Sequence, residues 1–345
     1  MSNDEKIRVS STPVVSAAKT FVSTQIQTEI RTTDFDLAMT LDSGQVFHWA
    51  KAGDGFVGLI GEWPIYVEQS GYVLKASGEA AKPDCLNQSS LGSIVSDYFA
   101  LDHPLTEICA SFPKDPAMNA ARDFCRGLRI IRQPKWECLA TFICSSMKQV
   151  AHIRQISAKL RERFGEARPV VPEVEAGGGS AARSTPKHVI YTFPTVERIA
   201  AASEKELREC SLGYRAKNVL ATARQIASDD VDLEMLAEAS DVDLRARLCK
   251  LPGVGAKVAN CVMLFAYERL RAFPIDVWIE RVLRQRYFPR TRRLNAARLR
   301  RFTEEYFGHH GGYAQQYLFH HARKTKSEST GKSKRKMGSL SQFRA

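Results

Sequence analysis

Two residues of this 345-residue chain could do chemistry together: Lys257 and Asp276. Lys257 lies in the run Cys249-Lys250-Leu251-Pro252-Gly253-Val254-Gly255-Ala256-Lys257-Val258-Ala259-Asn260-Cys261. The glycines permit a tight turn, and Pro252 stops whatever helix precedes it. Beyond the turn, Val258, Cys261, Val262 and Phe265 recur at the spacing of one helical face. Upstream, Leu244, Leu248 and Leu251 form a similar stripe behind the candidate caps Ser240 and Asp241. The stretch predicts helix, glycine hairpin, helix, and the amides around Gly253, Gly255 and Val258 make a ready phosphate site. Lys257 falls in the first turn of the second helix, where the macrodipole disfavours a cation. Three readings follow: a solvated lysine, a phosphate contact, or an amine that attacks in its uncharged form, since burial and the dipole both lower a lysine pKa. Spacing alone ranks the phosphate contact above the nucleophile. Asp276 precedes Ile279, Val282 and Leu283 and reads first as a helix N-cap. A capping carboxylate there can still face Lys257.

The elements that must carry these residues fall into two patterns. Residues 1–24 read as a disordered N-terminus. Phe35, Leu37, Met39 and Leu41 alternate with polar or small residues, and strand-like runs follow at Gln45–Ala50, Phe56–Ile60, Pro64–Glu68 and Tyr72–Lys75. Gly53-Asp54-Gly55, Gly61-Glu62 and Ser70-Gly71 punctuate them as hairpin turns, which predicts an antiparallel meander. From about Leu91 the period becomes helical. The expected fold class is α+β: an N-terminal antiparallel β-sheet domain over 25–115, packed on a mostly α-helical body over 116–322. Residues 171–187, with Gly177-Gly178-Gly179-Ser180, read as a flexible insertion, and 323–345 as a basic disordered tail.

The formal net charge is +12, which points to a polyanionic partner. Residues 323–345 hold eight Lys/Arg and one Glu, a charge of +7, so the rest of the chain carries +5. No apolar run is long enough to span a bilayer, and the N-terminus lacks the apolar core of a signal peptide. The eight cysteines include no C-x-x-C pair, which argues for reduced thiols in an intracellular protein and against a zinc site. The adjacent pairs His309-His310 and His320-His321 are better read as packed or solvated than as metal ligands.

Leu251–Lys257, followed by Phe273-Pro274-Ile275-Asp276-Val277, resembles the helix-hairpin-helix (HhH-GPD) DNA glycosylases, and the full pattern from about Thr33 to His321 is similar to the 8-oxoguanine DNA glycosylase/AP lyases. The absence of closely spaced cysteines after the hairpin excludes the iron–sulfur branch. The resemblance implies excision of 8-oxoguanine from double-stranded DNA by a flipped-base mechanism. In it Lys257 attacks C1′ and forms a Schiff base, Asp276 stabilises the sugar cation, and β-elimination follows. It implies no metal and no cofactor, an enzyme acting as a monomer, and a DNA-associated location in nucleoid or nucleus.

The same resemblance assigns further residues, each with a plainer alternative. Gly44, otherwise a hairpin glycine, would accept N7–H of 8-oxoguanine, a proton that guanine lacks. Cys261, otherwise core filler, would line the base pocket beside Lys257. Gln315 would meet the Watson–Crick edge and Phe319 would stack on the base; Gln316 competes for the first role on spacing. Tyr214 and Arg215, otherwise a packed tyrosine and a surface arginine, would probe the stack and the partner base. Met147 and His152 stand where animal members carry an asparagine and an arginine, and Trp278 where they carry a histidine. With Arg215 left to read it, cytosine is the expected partner base, held less strictly than in those relatives. Two other readings are a monofunctional alkylpurine glycosylase, disfavoured by Lys257, and a non-catalytic hairpin module that grips the DNA backbone.

Overall fold

A computed structural model describes residues 24–80, 87–170 and 188–340. The N-terminal layer is a five-stranded antiparallel sheet in the order β1-β5-β4-β3-β2. Its strands are β1 (Thr24–Arg31), β2 (Ala50–Ala52), β3 (Gly55–Ile60), β4 (Trp63–Ser70) and β5 (Val73–Ala80). The expected hairpin glycines Gly53, Gly61 and Gly71 have φ of +54°, +60° and +58°, a region glycine enters without a Cβ penalty. β1 escaped the reading by sequence, although Ile26, Thr28 and Ile30 alternate along it; it closes the meander by pairing with β5.

Two expected strands are not strands. Phe35–Leu41 contributes to α1 (Leu37–Asp42), which begins because the Asp36 carboxylate accepts the Met39 amide at 2.7 Å. Apolar alternation over so few residues also fits one buried helical face, here Leu37, Thr40 and Leu41. In Gln45–Ala50 only Ala50 joins the sheet. Gln45 is fully buried, and its side chain bonds the carbonyls of Thr40 and Arg129, the Ser43 hydroxyl and the Ile131 amide. Side-chain bonding replaces the ladder there, fixing the segment that follows Gly44.

α2 (Gln88–Tyr98) covers the sheet and closes a core of Ile65, Val67, Leu74, Leu91, Val95 and Phe99. The helical body continues with α3 (Leu105–Ala110), α4 (Pro116–Phe124), α5 (Lys135–Cys144) and α6 (Val150–Phe164). Leu105, Ile108 and Phe112 pack in the same core as the helical body. A two-stranded ribbon, β6 (Ala167–Val170) with β7 (His188–Tyr191), flanks the expected insertion, whose residues 171–187 lie outside the described ones, as do 1–23. Then come α7 (Val196–Ala200), α8 (Glu204–Leu207), α9 (Arg215–Ala227), α10 (Asp241–Leu248), α11 (Ala256–Ala266), α12 (Val277–Val282), α13 (Ala296–Tyr306) and α14 (Gly311–Leu340). α14 runs past the point where a disordered tail was expected. Tyr313, Tyr317 and Leu318 bury its first turns, and the residues beyond contain no proline to stop propagation.

An ion pair built on buried Arg161 joins the two layers. Glu137 of α5 meets His48 of the sheet layer at 3.3 Å and also binds Arg161 of α6. Burial alone would raise its pKa, but Arg161 and His48 outweigh it and hold the carboxyl down at about 2.

Candidate active site

The hairpin forms between α10 and α11. Gly253 has φ of +80°, and a Cβ there would lie 2.7 Å from Nδ2 of Asn218 on α9. Only glycine allows that approach. The Pro252 carbonyl accepts from Thr222 at 3.2 Å, so α9 holds the turn from behind. Gly255 is the N-cap of α11 with no side-chain cap, and Gly253 and Gly255 are exposed. The first-turn amides of α11 therefore await an external acceptor. The Val258 side chain, in contrast, is buried, so any contact it makes with a phosphate goes through its backbone.

Lys257 is half-buried. Its Nζ donates to the Ser145 hydroxyl at 2.8 Å and lies 5.1 Å from the centre of the Phe142 ring. Ser145 in turn donates to the Phe142 carbonyl at 2.7 Å. Neither Ser145 nor Phe142 was singled out from sequence; their signal was the run Ile143-Cys144-Ser145-Ser146 at the end of α5. Asp276 caps α12 by accepting the Ile279 amide at 2.8 Å. Asn260, on α11, donates to the Phe273 carbonyl at 3.2 Å and ties the segment leading to Asp276 to the helix that carries Lys257. Burial raises the Asp276 pKa, against the capping bond and the Lys257 charge. Cys261 is a buried thiol pushed up to about 11 by burial, with Lys257 pulling the other way.

These groups line a cleft of about 910 Å³ between α11, α12, α14 and the loop after α1. The cleft brings together Lys257, Cys261, Asp276, Gly44, Gln315 and Phe319, and Met147 stands at its wall. Phe142 and Phe265 stack in that wall, 5.4 Å apart at 10°. Gly44 has φ of +86°, and a Cβ there would sit 3.2 Å from the Phe319 ring.

α14 binds the loop before Gly44 at consecutive carbonyls. Gln316 donates to Ser43 O at 3.0 Å, and Arg323 donates to Asp42 O. The Gly44 carbonyl accepts no hydrogen bond among the described residues. Gln315 is buried, and its Oε1 has no partner among them either. Gln316 is thus engaged with the fold, while Gln315 keeps an acceptor in the cleft that has no partner among the described residues. Arg323 was counted with the tail, but it belongs to the cleft wall. It lies against Phe319, 5.9 Å from the ring centre, and its partner Asp42 also holds Arg154 and Lys324.

Of the other expected DNA contacts, Met147, Gly253, Gly255 and Val258 line the cleft, whereas His152, Tyr214 and Arg215 lie outside its lining. Met147 is 87% exposed with φ of +57°, a conformation that a non-glycine residue rarely adopts. Tyr214 is exposed and His152 projects from α6 into solvent. Arg215 is not the surface residue of the plainer reading: it is buried. Its Nε donates to Ser146 O at 2.8 Å, Nη2 reaches the same oxygen, and the guanidinium stacks 4.3 Å from the Tyr214 ring.

Comparison with known proteins agrees with this geometry. Residues 27–139 match the 8-oxoguanine DNA glycosylase N-terminal domain, and 140–306 match the HhH-GPD superfamily of base excision DNA repair proteins. The chain is 28% identical over 303 residues to the N-glycosylase/DNA lyase OGG1 of Arabidopsis thaliana, covering 83% of this chain and 77% of that protein. It is 29% identical over 281 residues to the N-glycosylase/DNA lyase of Saccharomyces cerevisiae, covering 75% and 70%. The structure of MBOgg1 in complex with a low-affinity DNA ligand superposes with a TM-score of 0.75 at 31% identity, covering 86% of this chain and 96% of that one. The chain belongs to the HhH-GPD superfamily of base excision DNA repair proteins, in the branch that carries the 8-oxoguanine DNA glycosylase N-terminal domain.

Proposed function

We propose that this protein excises 8-oxoguanine from duplex DNA and then cuts the abasic strand by β-elimination. The observation that carries the reading is the meeting of Lys257 and Asp276 in one cleft whose uncommitted acceptors are Gly44 O and Gln315 Oε1. A base flipped into the cleft stacks on Phe319. The Gly44 carbonyl takes a hydrogen bond that only the N7–H of the oxidised base offers, and Gln315 takes one from its Watson–Crick edge.

The Lys257 amine bonds to C1′ as the C1′–N9 bond breaks, and the base leaves with the electron pair and gains a proton. Asp276, ionised, stabilises the positive charge on the sugar. The attached nitrogen loses a proton to the departing base, its electron pair then breaks the C1′–O4′ bond, O4′ takes up a proton as the sugar ring opens, and the amine stays bound as a Schiff base. Loss of a C2′ proton then expels the 3′ phosphate from C3′, and water releases the sugar remnant from Lys257. Met147 fills the space that the flipped nucleotide leaves, and the Gly253–Gly255 turn with the first amides of α11 binds the backbone. Arg215 acts by holding the Ser146 carbonyl and so the turn that presents Met147.

Borohydride reduction tests the reading. It should leave this protein covalently joined to 8-oxoguanine duplex. A monofunctional alkylpurine glycosylase or a non-catalytic hairpin protein gives no adduct.

A further inference from the structure

The basic charge of the body is concentrated in one segment. Residues 281–301 contain nine arginines and no acidic residue. Setting aside this +9 and the +7 of residues 323–345, the remaining chain carries −4. Seven of the nine are exposed: Arg286, Arg290, Arg292, Arg293, Arg298, Arg300 and Arg301. None of the seven forms an ion pair among the described residues. A fold gains nothing from crowding unpaired cations.

The segment borders a second groove, of about 960 Å³. Arg281, Arg286 and Tyr287 form one side, and His321 and Thr325 of α14 form the other, at the start of the second basic stretch. Its one lining carboxylate, Asp115, is already engaged. It accepts from the phenols of Tyr287 at 3.1 Å and Tyr306 at 3.0 Å and caps α4. Trp278 lines both this groove and the catalytic cleft, so the two adjoin across α12.

We propose that this arginine ridge is a second DNA-binding surface, which takes the sugar–phosphate backbone of the duplex flanking the lesion. Charge complementarity and adjacency to the cleft select duplex DNA as the occupant, and arginine supplies a donor fork matched to phosphate. The proposal rests on the reading that the cleft holds the lesion nucleotide. The ridge contributes affinity for DNA outside the flipped nucleotide and no step of the chemistry.

The test combines Arg290→Gln, Arg292→Gln, Arg293→Gln, Arg300→Gln and Arg301→Gln, all exposed and outside the cleft lining. Binding to 8-oxoguanine duplexes of increasing length is measured against salt, in a Lys257→Gln background so that no substrate is consumed. On long duplexes the slope of log affinity against log salt should become shallower by about 0.9 for each phosphate that the ridge no longer neutralises. On the shortest duplex that still binds, the two slopes should coincide. Single-turnover excision by the five-fold variant with Lys257 intact, at saturating enzyme, should be unchanged. Equal slopes on long duplexes overturn the proposal and assign the ridge to another partner, such as an acidic protein. Failure of the cleft reading appears elsewhere, as a borohydride adduct that survives Lys257→Gln.

Discussion

Arg323 donates to the carbonyl of Asp42, two residues ahead of Gly44. With Gln316 on Ser43 O, this bond fixes how the loop offers its next carbonyl to the cleft. Arg323→Met should lower the preference for 8-oxoguanine duplex over undamaged duplex by about tenfold or more, as expected for a lost hydrogen bond from a charged donor. Arg323→Lys should restore part of it. The readout is the ratio of two affinities, which general destabilisation does not move. For the same reason, removal of the C-terminal basic stretch should spare the chemistry only when the cut falls after Lys324, and a cut after Ala322 should slow excision.

Lys257→Gln keeps a polar side chain near Ser145 but removes the amine. Lesion binding should persist, while excision and the borohydride adduct disappear. An undiminished adduct on a gel would end the assignment.

Asp276→Asn keeps an oxygen to cap α12, so melting temperature should change little. Excision should fall by orders of magnitude. Because burial raises the Asp276 pKa, the ionised form is lost on acidification at a pH above the ordinary aspartate value. The acid limb of single-turnover excision should therefore lie above about pH 4 and vanish in Asp276→Asn. Activity and melting temperature falling together would mark the residue as structural only.

Arg215 is bound to Ser146 O, which gives a different outcome from an arginine reading a base. Arg215→Lys should slow excision opposite all four partner bases by similar factors, because the Met147 turn loosens. A loss confined to cytosine would show instead that the guanidinium leaves Ser146 to read the partner. Assay of 8-oxoguanine paired in turn with each base decides.

Glu137 has a folded-state pKa of about 2, below the ordinary 4.5. Its contribution to stability is present above the ordinary value and is lost as pH falls through the folded one. Melting temperature should thus drop with acidification over that window, and the drop should be smaller in Glu137→Gln. At neutral pH that variant should cost about 3–5 kcal/mol, since it leaves buried Arg161 without its partner.

The hairpin, the meander turns and the capping role of Asp276 were legible because each rests on local chemistry: glycine at positive φ, a capping aspartate, apolar residues at helical spacing. The pairing of Lys257 with Asp276 was implied only by the family resemblance. What escaped depends on contacts between distant segments. Gln45 reads as a strand residue until its side chain is seen bonding four separate groups of the chain. Ser145 is an ordinary helix end until Lys257 arrives from 112 residues away. Arg323 reads as tail charge until Asp42 meets it from 281 residues away. Arg215 reads as a surface side chain because nothing local shows that the turn after α5 covers it.

Ser145 and Met147 lie two residues apart in a single turn closed by the Lys148 amide on Ser145 O at 3.1 Å. The hydroxyl that holds the Lys257 amine and the exposed Met147 side chain thus belong to one hydrogen-bonded turn, so a change of backbone at Met147 also shifts Ser145. On the proposed reading of Met147 as the side chain that enters the duplex, its engagement and the release of the amine are coupled.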